Sequence, residues 1–256
     1  MHNLSFDLTG RVALITGASS GLGSHFSETL VQAGAAVALC ARREDRLQQQ
    51  VKKLRDQGAR AIAVAMDVGD ATSVRAAIEQ VQRELGVIDI LVNNAGIATT
   101  ELFLDQEEAS WDAVLDTNLK GAWLVAREVS RRLVEAGHPG SIVNIASILG
   151  ERVAGASSAY ATSKAALIQL SKAMALELAR KNIRVNALAP GYVATELNSD
   201  FLASEAGQRL MSRVPQRRFA AMSELDGPLL LLASEAGSYI TGAVLAVDGG
   251  HLVSSL

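Results

Sequence analysis

The stretch that decides the fold is residues 12–23, which read VALITGASSGLG. Its first five residues are apolar or β-branched, as in a buried strand, and the glycines after them open directly into a segment of helical period. Glycines let the backbone turn tightly and approach a pyrophosphate, which then rests on the N–H groups of the helix start. The segment lacks the lysine of a nucleoside-triphosphate loop. It therefore favours a dinucleotide site over a plain strand–helix turn.

The same alternation of short apolar runs and longer amphipathic segments continues to the C-terminus, which predicts βαβ units and a parallel sheet. The predicted strands are Val12–Thr16, Ala36–Ala41, Ala61–Met66, Ile88–Asn93, Ser141–Ala146, Arg184–Ala189 and Ala243–Val247. The predicted helices are Gly21–Ala33, Glu44–Gln57, Ala71–Leu85, Ala109–Ala136, Ser158–Ala179 and Ser223–Ala233. Because no linker divides the chain, we expect one doubly wound, Rossmann-type α/β domain over residues 1–256, with a seven-stranded parallel sheet and helices on both faces.

Composition excludes several classes of protein. The 256 residues are 49% hydrophobic and 20% charged, with a net charge of −3 and no block of either sign, so we expect no nucleic-acid partner. Apolar runs fall short of the roughly 20 residues of a membrane span. The only cysteine is Cys40, and no signal peptide precedes the first strand, which predicts a cytoplasmic protein. We expect no metal site.

Residues that follow the second and third strands indicate which dinucleotide binds, because ligands of such sheets lie beyond the carboxyl ends of the strands. Arg42 and Arg43 stand where an NAD enzyme carries an acid for the ribose hydroxyl. Their guanidinium groups suit a 2′-phosphate, which favours NADP(H) over NAD(H); the alternative is that both face water. Asp67, with Val68 after it, can accept a hydrogen bond from adenine or simply begin a turn.

A possible acid/base set follows the fifth strand. Ser147 ends that strand, and Tyr160 and Lys164 are four residues apart, so they share one face of a helix. A free tyrosine titrates near ~10. A neighbouring ammonium, with an oxidised nicotinamide nearby, is expected to lower that pKa toward neutrality, where acid/base catalysis works best. Ser147 can donate to a carbonyl oxygen as negative charge develops there. Alone, the tyrosine–lysine pair would be an ordinary surface pair; the glycine loop makes catalysis the favoured interpretation.

With these motifs, the chain resembles the short-chain dehydrogenase/reductases, in the branch of about 250 residues that includes 3-oxoacyl-(acyl carrier protein) reductases. The resemblance covers Arg11 to Gly250. It depends on TGASSGLG at 16–23, NNAG at 93–96, Ser147, the Tyr160–Lys164 motif, Pro190-Gly191 and VDGG at 247–250. It implies that Asn118 is a fourth catalytic residue, which bends its helix and holds a water in a proton relay from the lysine.

The resemblance also implies the other contacts to the cofactor. Pro190, Gly191 and Thr195 would bind the nicotinamide carboxamide, with Val193 against the ring. The full predicted cofactor set is Gly17, Ser19, Ser20, Gly21, Leu22, Gly23, Arg42, Arg43, Asp67, Val68, Asn94, Ala95, Gly96, Tyr160, Lys164, Pro190, Gly191, Val193 and Thr195. Many NADP-binding members carry a basic residue in the glycine loop. Here serines occupy that stretch, so the NADP prediction depends on the two arginines.

Substrate and assembly are less constrained by the sequence. Residues 192–215 are predicted to form a lid over the substrate. Arg152 either meets a substrate carboxylate or phosphate or faces solvent, and the solvent-facing interpretation is favoured. An acidic acyl carrier protein is a possible partner for Arg127, Arg131, Arg132 and Lys172, but scattered helix charges usually only solvate a surface. The resemblance implies a homotetramer built through the two longest helices and the last strand, with the tail from residue 251 reaching a neighbour.

The predicted function is therefore NADP(H)-dependent hydride transfer between nicotinamide and a ketone/secondary alcohol pair on a small molecule, with a 3-oxoacyl-type substrate as one possibility. Two alternatives stay open: a catalytically silent nucleotide-binding scaffold on the same fold, and an NAD-dependent alcohol or polyol dehydrogenase. A sugar-nucleotide epimerase is disfavoured because such enzymes usually need a further domain. An enoyl reductase is disfavoured because that relative spaces its tyrosine and lysine by seven residues.

Overall fold

Seven parallel strands form one sheet in the computed structural model, which describes residues 6–195 and 199–254. The strand order is β3-β2-β1-β4-β5-β6-β7. Their bounds are β1 Val12–Thr16, β2 Ala36–Ala41, β3 Ala61–Ala65, β4 Ile90–Asn93, β5 Gly140–Ile145, β6 Ile183–Pro190 and β7 Val244–Val247. Each pairing between neighbours is parallel, and β1 pairs with β2 from Val12 opposite Ala36 onward. The predicted fold class is confirmed.

The described helices are α1 Gly21–Gln32, α2 Glu44–Asp56, α3 Ala71–Leu85, α4 Glu108–Leu115, α5 Ala122–Ala136, α6 Ser158–Leu178, α7 Ser199–Ala203, α8 Glu205–Met211 and α9 Asp226–Ala233. The prediction of one helix over residues 109–136 was wrong, because a π-helical turn at Asp116–Gly121 separates α4 from α5. The helix predicted from Ser223 begins instead as a 3-10 turn, Met222–Leu225, which leads into α9.

Helices cover both faces of the sheet, and successive residues of a strand pack alternately on the two faces. Ala13 and Ile15 of β1 pack with α1, α2 and α9 around Phe26, whereas Val12 and Leu14 pack on the opposite face with α3 and α5. Burying both faces explains why β1 is apolar at consecutive positions rather than at alternate ones. Burial of this extent holds the carboxyl ends of the strands in fixed positions.

The strand order reverses between β1 and β4, whose following connections leave on opposite sides. A crevice opens beyond the carboxyl ends of the strands at such a reversal, and ligands of doubly wound sheets bind there. The glycine loop follows β1, the Asn93–Gly96 segment follows β4, Ser147 follows β5, and Pro190 ends β6. The topology therefore gathers the predicted site residues at one edge of the sheet.

The predicted lid, residues 192–215, begins beside the body of the protein, where Val193 bridges to Ala220. The short helices α7 and α8 follow, and residues 196–198 lie outside the described residues. Beyond β7, a 3-10 turn at His251–Val253 folds the tail back onto its own chain; its last two residues, Ser255 and Leu256, also lie outside the description. In the described ranges, no helix combines the length and apolar character needed to cross a membrane.

Candidate active site

The glycine loop is tied to the end of β4 by a set of short hydrogen bonds. The Thr16 hydroxyl accepts from the backbone N–H of Asn94 at 3.0 Å and of Ala95 at 2.9 Å. The Asn94 amide donates to the carbonyls of Thr16 at 3.0 Å and Gly17 at 3.3 Å. Asn94 therefore holds the glycine loop against the segment that follows β4.

Glycine is required where the loop packs most closely. A Cβ on Gly17 would lie 2.8 Å from Cα of Ala95, and one on Gly23 would lie 2.4 Å from the Gly17 carbonyl oxygen. Real Cβ atoms do not approach so near, so any larger residue would push the loop away from β4. The predicted need for close backbone approach is thus met at these two positions.

The start of α1 is open to an anion. Ser20 precedes the helix in extended conformation, and its side chain makes no capping hydrogen bond to the first turn. The first N–H groups of a helix have no partner within it, and together with the helix dipole they favour negative charge. An uncapped N-terminus beside a tightly packed glycine loop fits the pyrophosphate of a dinucleotide.

Arg43 reaches the glycine loop from the end of β2. Its Nη2 donates to the hydroxyl of Ser19 at 3.0 Å and of Ser20 at 3.4 Å. Arg42 is exposed beside it. The Arg43 guanidinium and two hydroxyls therefore meet next to the loop, a donor set suited to a phosphate monoester. Arg43 does not simply face water.

Asp67 and Val68 follow β3 at the far end of the same edge. One carboxylate oxygen of Asp67 accepts from the backbone N–H of Gly69 at 2.9 Å, which is the turn-forming role that the sequence left open. Val68 is buried, and a Cβ on Gly121 would lie 2.7 Å from its Cγ2. The adenine contact predicted for this pair stays a prediction.

A cleft of about 460 Å³ lies beyond the carboxyl ends of β4, β5 and β6. Most of the residues predicted to act on nicotinamide or substrate line it. They are Leu22, Asn94, Gly96, Ser147, Tyr160, Lys164, Pro190, Gly191, Val193 and Thr195. Segments that are more than 170 positions apart in the sequence thus meet in one cleft. Thr195 also lines a neighbouring cavity together with Ser19 and Ser20 of the glycine loop.

Lys164 lies one helical turn from Tyr160 and is buried beneath it. Its Nζ is 5.5 Å from the centre of the tyrosine ring and donates to the carbonyl of Ile145 at 2.8 Å. Burial disfavours the charged ammonium and lowers the pKa of Lys164 to about 8. The Lys164 ammonium thus lies next to the Tyr160 phenol and releases its proton more readily than a surface lysine.

The lowering of the Tyr160 pKa that is expected from Lys164 together with an oxidised nicotinamide stays a prediction. Burial raises the pKa of the Tyr160 hydroxyl, and hydrogen bonding with Ser147 only partly offsets this rise. The Lys164 ammonium donates to the Ile145 carbonyl, and burial is the larger effect on the pKa of Tyr160. Tyr160 is therefore a neutral phenol at neutral pH, the form that donates a proton.

Asn118 lies in the π-helical turn and is buried behind the cleft. Its Oδ1 accepts from the Ile97 N–H at 2.8 Å, and its Nδ2 donates to the Ile97 carbonyl at 2.9 Å and to the Ser163 hydroxyl at 3.0 Å. The bend implied by the family resemblance is present. The side chain is fully used in joining the loop after β4 to α6; the water relay stays a prediction.

The Asn118 contacts include two residues that the sequence analysis missed. The Ser163 hydroxyl accepts a hydrogen bond from the Asn118 amide, which lies 45 positions earlier in the sequence. Ile97 contributes only its backbone groups. Neither carries a signal of its own: Ser163 looks like a small helix residue, and any residue type can offer a backbone carbonyl. A Cβ on Gly96 would lie 3.2 Å from Asn118 Oδ1 and 3.6 Å from Lys164 Nζ, so this glycine keeps the approach to both polar groups open.

Tyr192 lines the cleft together with Tyr160, and two aromatic rings that are not part of the lining pack against it. The Tyr192 ring lies 6.2 Å from the ring of Phe219 and 5.8 Å from that of His251, centre to centre. Arg152 is half-buried and donates to the carbonyl of His251 and to the Ser254 hydroxyl. The favoured interpretation of Arg152 as a solvent-facing side chain was wrong, because the folded-back tail holds it.

Sequence comparison adds independent evidence. The sequence model of one family, described as enoyl-(acyl carrier protein) reductase, matches residues 17–251. A 3-oxoacyl-(acyl-carrier-protein) reductase from Thermotoga maritima is 37% identical over 246 residues, which cover 96% of this chain and 99% of that protein. A 5-keto-D-gluconate 5-reductase from Escherichia coli is 36% identical over 250 residues, which cover 97% of this chain and 98% of that one.

Comparison with solved structures agrees. A gluconate 5-dehydrogenase from Burkholderia cenocepacia, solved in complex with NADP and tartrate, superposes with a TM-score of 0.95 at 38% sequence identity. That match covers 99% of this chain and 100% of the other. The likeness extends over the sheet, the glycine loop and the cleft together, at an identity well above that of a shared fold alone. The chain belongs to the short-chain dehydrogenase/reductase family.

Proposed function

We propose that this protein is an NADP(H)-dependent oxidoreductase that interconverts a ketone and a secondary alcohol on a small molecule. The observation that carries the proposal is the neutral Tyr160 phenol, held by Ser147 and placed over buried Lys164 in a cleft that continues into the glycine loop. A catalytically silent scaffold would not need a buried lysine under a buried phenol, since desolvating both groups is unfavourable.

The chain's own residues divide the chemistry among them. NADPH bound along the glycine loop would supply the hydride. Ser147 donates a hydrogen bond to the carbonyl oxygen, which stabilises the negative charge that develops there. Tyr160 gives its proton to the same oxygen and so yields the alcohol. Lys164 supports the phenolate that remains, and Asn118 fixes the loop that forms the opposite wall.

Cofactor choice provides the first prediction. Replacing both Arg42 and Arg43 with alanine is expected to raise the KM for NADPH by about 10- to 100-fold, because charge-assisted hydrogen bonds to the 2′-phosphate are lost. The KM for NADH should change by less than about threefold, since NADH has no such phosphate. The gluconate 5-dehydrogenase structure with bound NADP supports this assignment. Steady-state kinetics with both cofactors checks it, and equal losses would favour an NAD-dependent enzyme.

The activity itself is tested by following the absorbance of reduced cofactor with a panel of ketones: β-keto esters, diketones, ketoses and oxo acids, each with NADPH and with NADH. We expect NADPH to be oxidised faster than NADH by at least one member. A chain that bound NADPH and oxidised it with none of these compounds, in either direction of the reaction, would be a silent nucleotide-binding protein instead.

Small substrates are favoured over an acyl carrier protein. Of the four basic residues considered for such a partner, Arg131 pairs with Glu128 and Glu135, and Arg132 pairs with Glu128 and Glu79. Their charges are thus neutralised within the chain. The relatives are named for both oxoacyl and gluconate substrates, so the names alone do not decide between them.

We also propose that the protein is a homotetramer. Large apolar side chains are exposed around α4 and α5, and they include Leu102, Phe103, Leu104 and Trp123. Patches of this kind mark contact surfaces in proteins that associate. The outer edge of β7 has no neighbouring strand among the described residues, and such an edge is normally covered. Light scattering should give four times the 26.9 kDa mass of the chain; a monomer at micromolar concentration would reject the proposal.

A further inference from the structure

Three residues lie next to one another beside the cleft: Tyr192, His251 and Arg152. Tyr192 lines the cleft together with Tyr160 and Ser147. Its proximity contributes to the raised pKa of Tyr160, and the charge of Arg152 in turn counters the raised pKa of Tyr192. Arg152 donates to the carbonyl of His251, whose ring lies 5.8 Å from that of Tyr192, so both residues adjoin Tyr192 although neither is among the residues that line the cleft.

Arg152 is fixed along one edge of its guanidinium and open along the rest. It lies two residues after the 3-10 turn Ile148–Gly150, which Ser147 caps, and its backbone N–H donates to the Ile148 carbonyl at 2.9 Å. Nη1 donates to the His251 carbonyl and to the Ser254 hydroxyl, the latter at 3.0 Å. In the described part of the chain, Nε and Nη2 have no acceptor and no carboxylate pairs with this arginine. A planar group held in this way can present two parallel N–H donors to a carboxylate.

His251 adds a second unsatisfied polar group at the same place. The residue is 5% exposed, and its Nδ1 has no hydrogen-bond partner among the described residues. Burial, followed by the charge of Arg152, lowers its pKa, so the imidazole is neutral at neutral pH. A buried polar atom without a partner costs stability unless a ligand or water completes it. Neutral imidazole suits a substrate hydroxyl, as a donor or an acceptor.

The nearby acid does not neutralise Arg152. Asp248 is the acidic group that acts on His251, and its two carboxylate oxygens accept from the backbone N–H groups of Gly250 at 2.9 Å and Leu252 at 2.6 Å. Its charge is thus used to hold the turn after β7. Arg213 adds a further positive charge on the same side. Two arginines and one carboxylate thus act on His251.

We propose that Arg152, with Tyr192 and His251 beside it, is the subsite for a carboxylate of the substrate. The inference rests on the proposed function and narrows its substrate to one class: short oxo acids and hydroxy acids whose reacting carbon stands at Ser147 and Tyr160. The carboxylate stands several atoms away, past Tyr192. Hydroxyl groups between the two ends meet His251.

The test compares matched substrates that differ only in charge. The pairs are acetoacetate with methyl acetoacetate, levulinate with methyl levulinate, and 5-keto-D-gluconate with L-sorbose, in which CH₂OH replaces the carboxylate. Each is reduced with NADPH by the intact protein and by Arg152→Gln, Arg152→Lys and Arg180→Gln. The last variant removes an exposed arginine at the opposite edge of the sheet and serves as the control.

We expect Arg152→Gln to lower kcat/KM for the preferred acid by about 10- to 100-fold, mostly through KM, as the loss of a charge-assisted pair implies. The neutral partner of that pair should change by less than about threefold. The kcat/KM of Arg152→Lys for the acid should lie between those of the wild-type protein and Arg152→Gln, because lysine keeps the charge but cannot offer two parallel N–H donors. Equal losses on acid and neutral partner, or no loss on any acid, would overturn the subsite.

Binding without turnover separates this inference from the proposed function. The affinity of D-gluconate for Tyr160→Phe saturated with NADP⁺ is measured by calorimetry, with and without Arg152→Gln. A drop of about tenfold or more supports the subsite even if no tested ketone is reduced, whereas unchanged affinity, or no binding in either protein, counts against it. Reduction of neutral ketones alone would leave the oxidoreductase intact and reject the carboxylate subsite.

Discussion

Replacing Tyr160 with phenylalanine is expected to lower kcat for ketone reduction by about 10²- to 10⁴-fold, the usual contribution of a positioned general acid. Only the hydroxyl is lost, and the ring that packs over Lys164 at 5.5 Å stays in place. Affinity for NADPH should therefore change little. Single-turnover oxidation of NADPH, with cofactor binding followed by fluorescence, separates the two quantities.

Tyr239 offers a matched control, because its side chain is fully exposed. Tyr239→Phe removes the same atom from the surface and should leave both kcat and cofactor affinity unchanged. Because burial raises the pKa of Tyr160, the protonated form persists at neutral pH and ketone reduction needs no prior ionisation. Wild-type turnover in Tyr160→Phe would assign the proton to another group and contradict the mechanism.

Lys164→Met should have the second-largest effect and should act on stability and activity in opposite directions. Removing the ammonium that supports the phenolate is expected to reduce kcat by at least about 10²-fold. The same change removes a buried charge, whose depressed pKa of about 8 reflects an unfavourable environment. A shift from 10.5 to about 8 corresponds to roughly 3 kcal/mol of destabilisation. Losing the hydrogen bond to the Ile145 carbonyl destabilises the variant by about 1 kcal/mol and so offsets part of this gain.

The difference in unfolding free energy between Lys164→Met and the wild-type protein depends on pH. Below pH 8 the lysine is charged in the folded and the unfolded chain, so the full penalty is present and Lys164→Met should be more stable by about 2 kcal/mol. Between pH 8 and 10.5 only the unfolded chain keeps the proton, so the wild-type protein gains stability as pH rises relative to the variant. Urea unfolding at pH 7 and pH 10 measures both differences. A variant less stable than wild type at pH 7 would contradict the assignment of a desolvated lysine.

The sheet could be predicted from sequence because its signals are local. The apolar run of β2 stops at Arg42, and β1 is apolar along its whole length, so the bounds of both were predicted correctly. The periodic pattern did not predict the division between α4 and α5, since residues 109–136 keep a helical pattern throughout; only the family resemblance implied a bend at Asn118. The π-helical turn depends on the pairing of Asn118 with the backbone of Ile97, which only the tertiary structure supplies.

The site was predicted where spacing carries the information and missed where contact geometry decides. The four-residue interval between Tyr160 and Lys164 fixes their shared face, and the structure brings both into one cleft with Ser147. The pKa of Tyr160 depends instead on burial and on where the ammonium points, and neither is visible in a sequence. Arg152 was misjudged for a similar reason: its partners come from the tail, 99 and 102 positions later.

The π-helical turn at Asp116–Gly121 also constrains how the length of this segment can change. A π-turn accommodates roughly one more residue than an α-helical path of the same rise. Deleting one residue there would let the backbone close into an uninterrupted α-helix, while rotating everything on one side of the cut by about 100°. Either α4 would lose its packing against α6 or α5 would turn its apolar face from the sheet. This stretch should therefore accept substitutions on its exposed side far more readily than an insertion or a deletion. Converting the π-helical turn into regular α-helix would lower the activity of the enzyme.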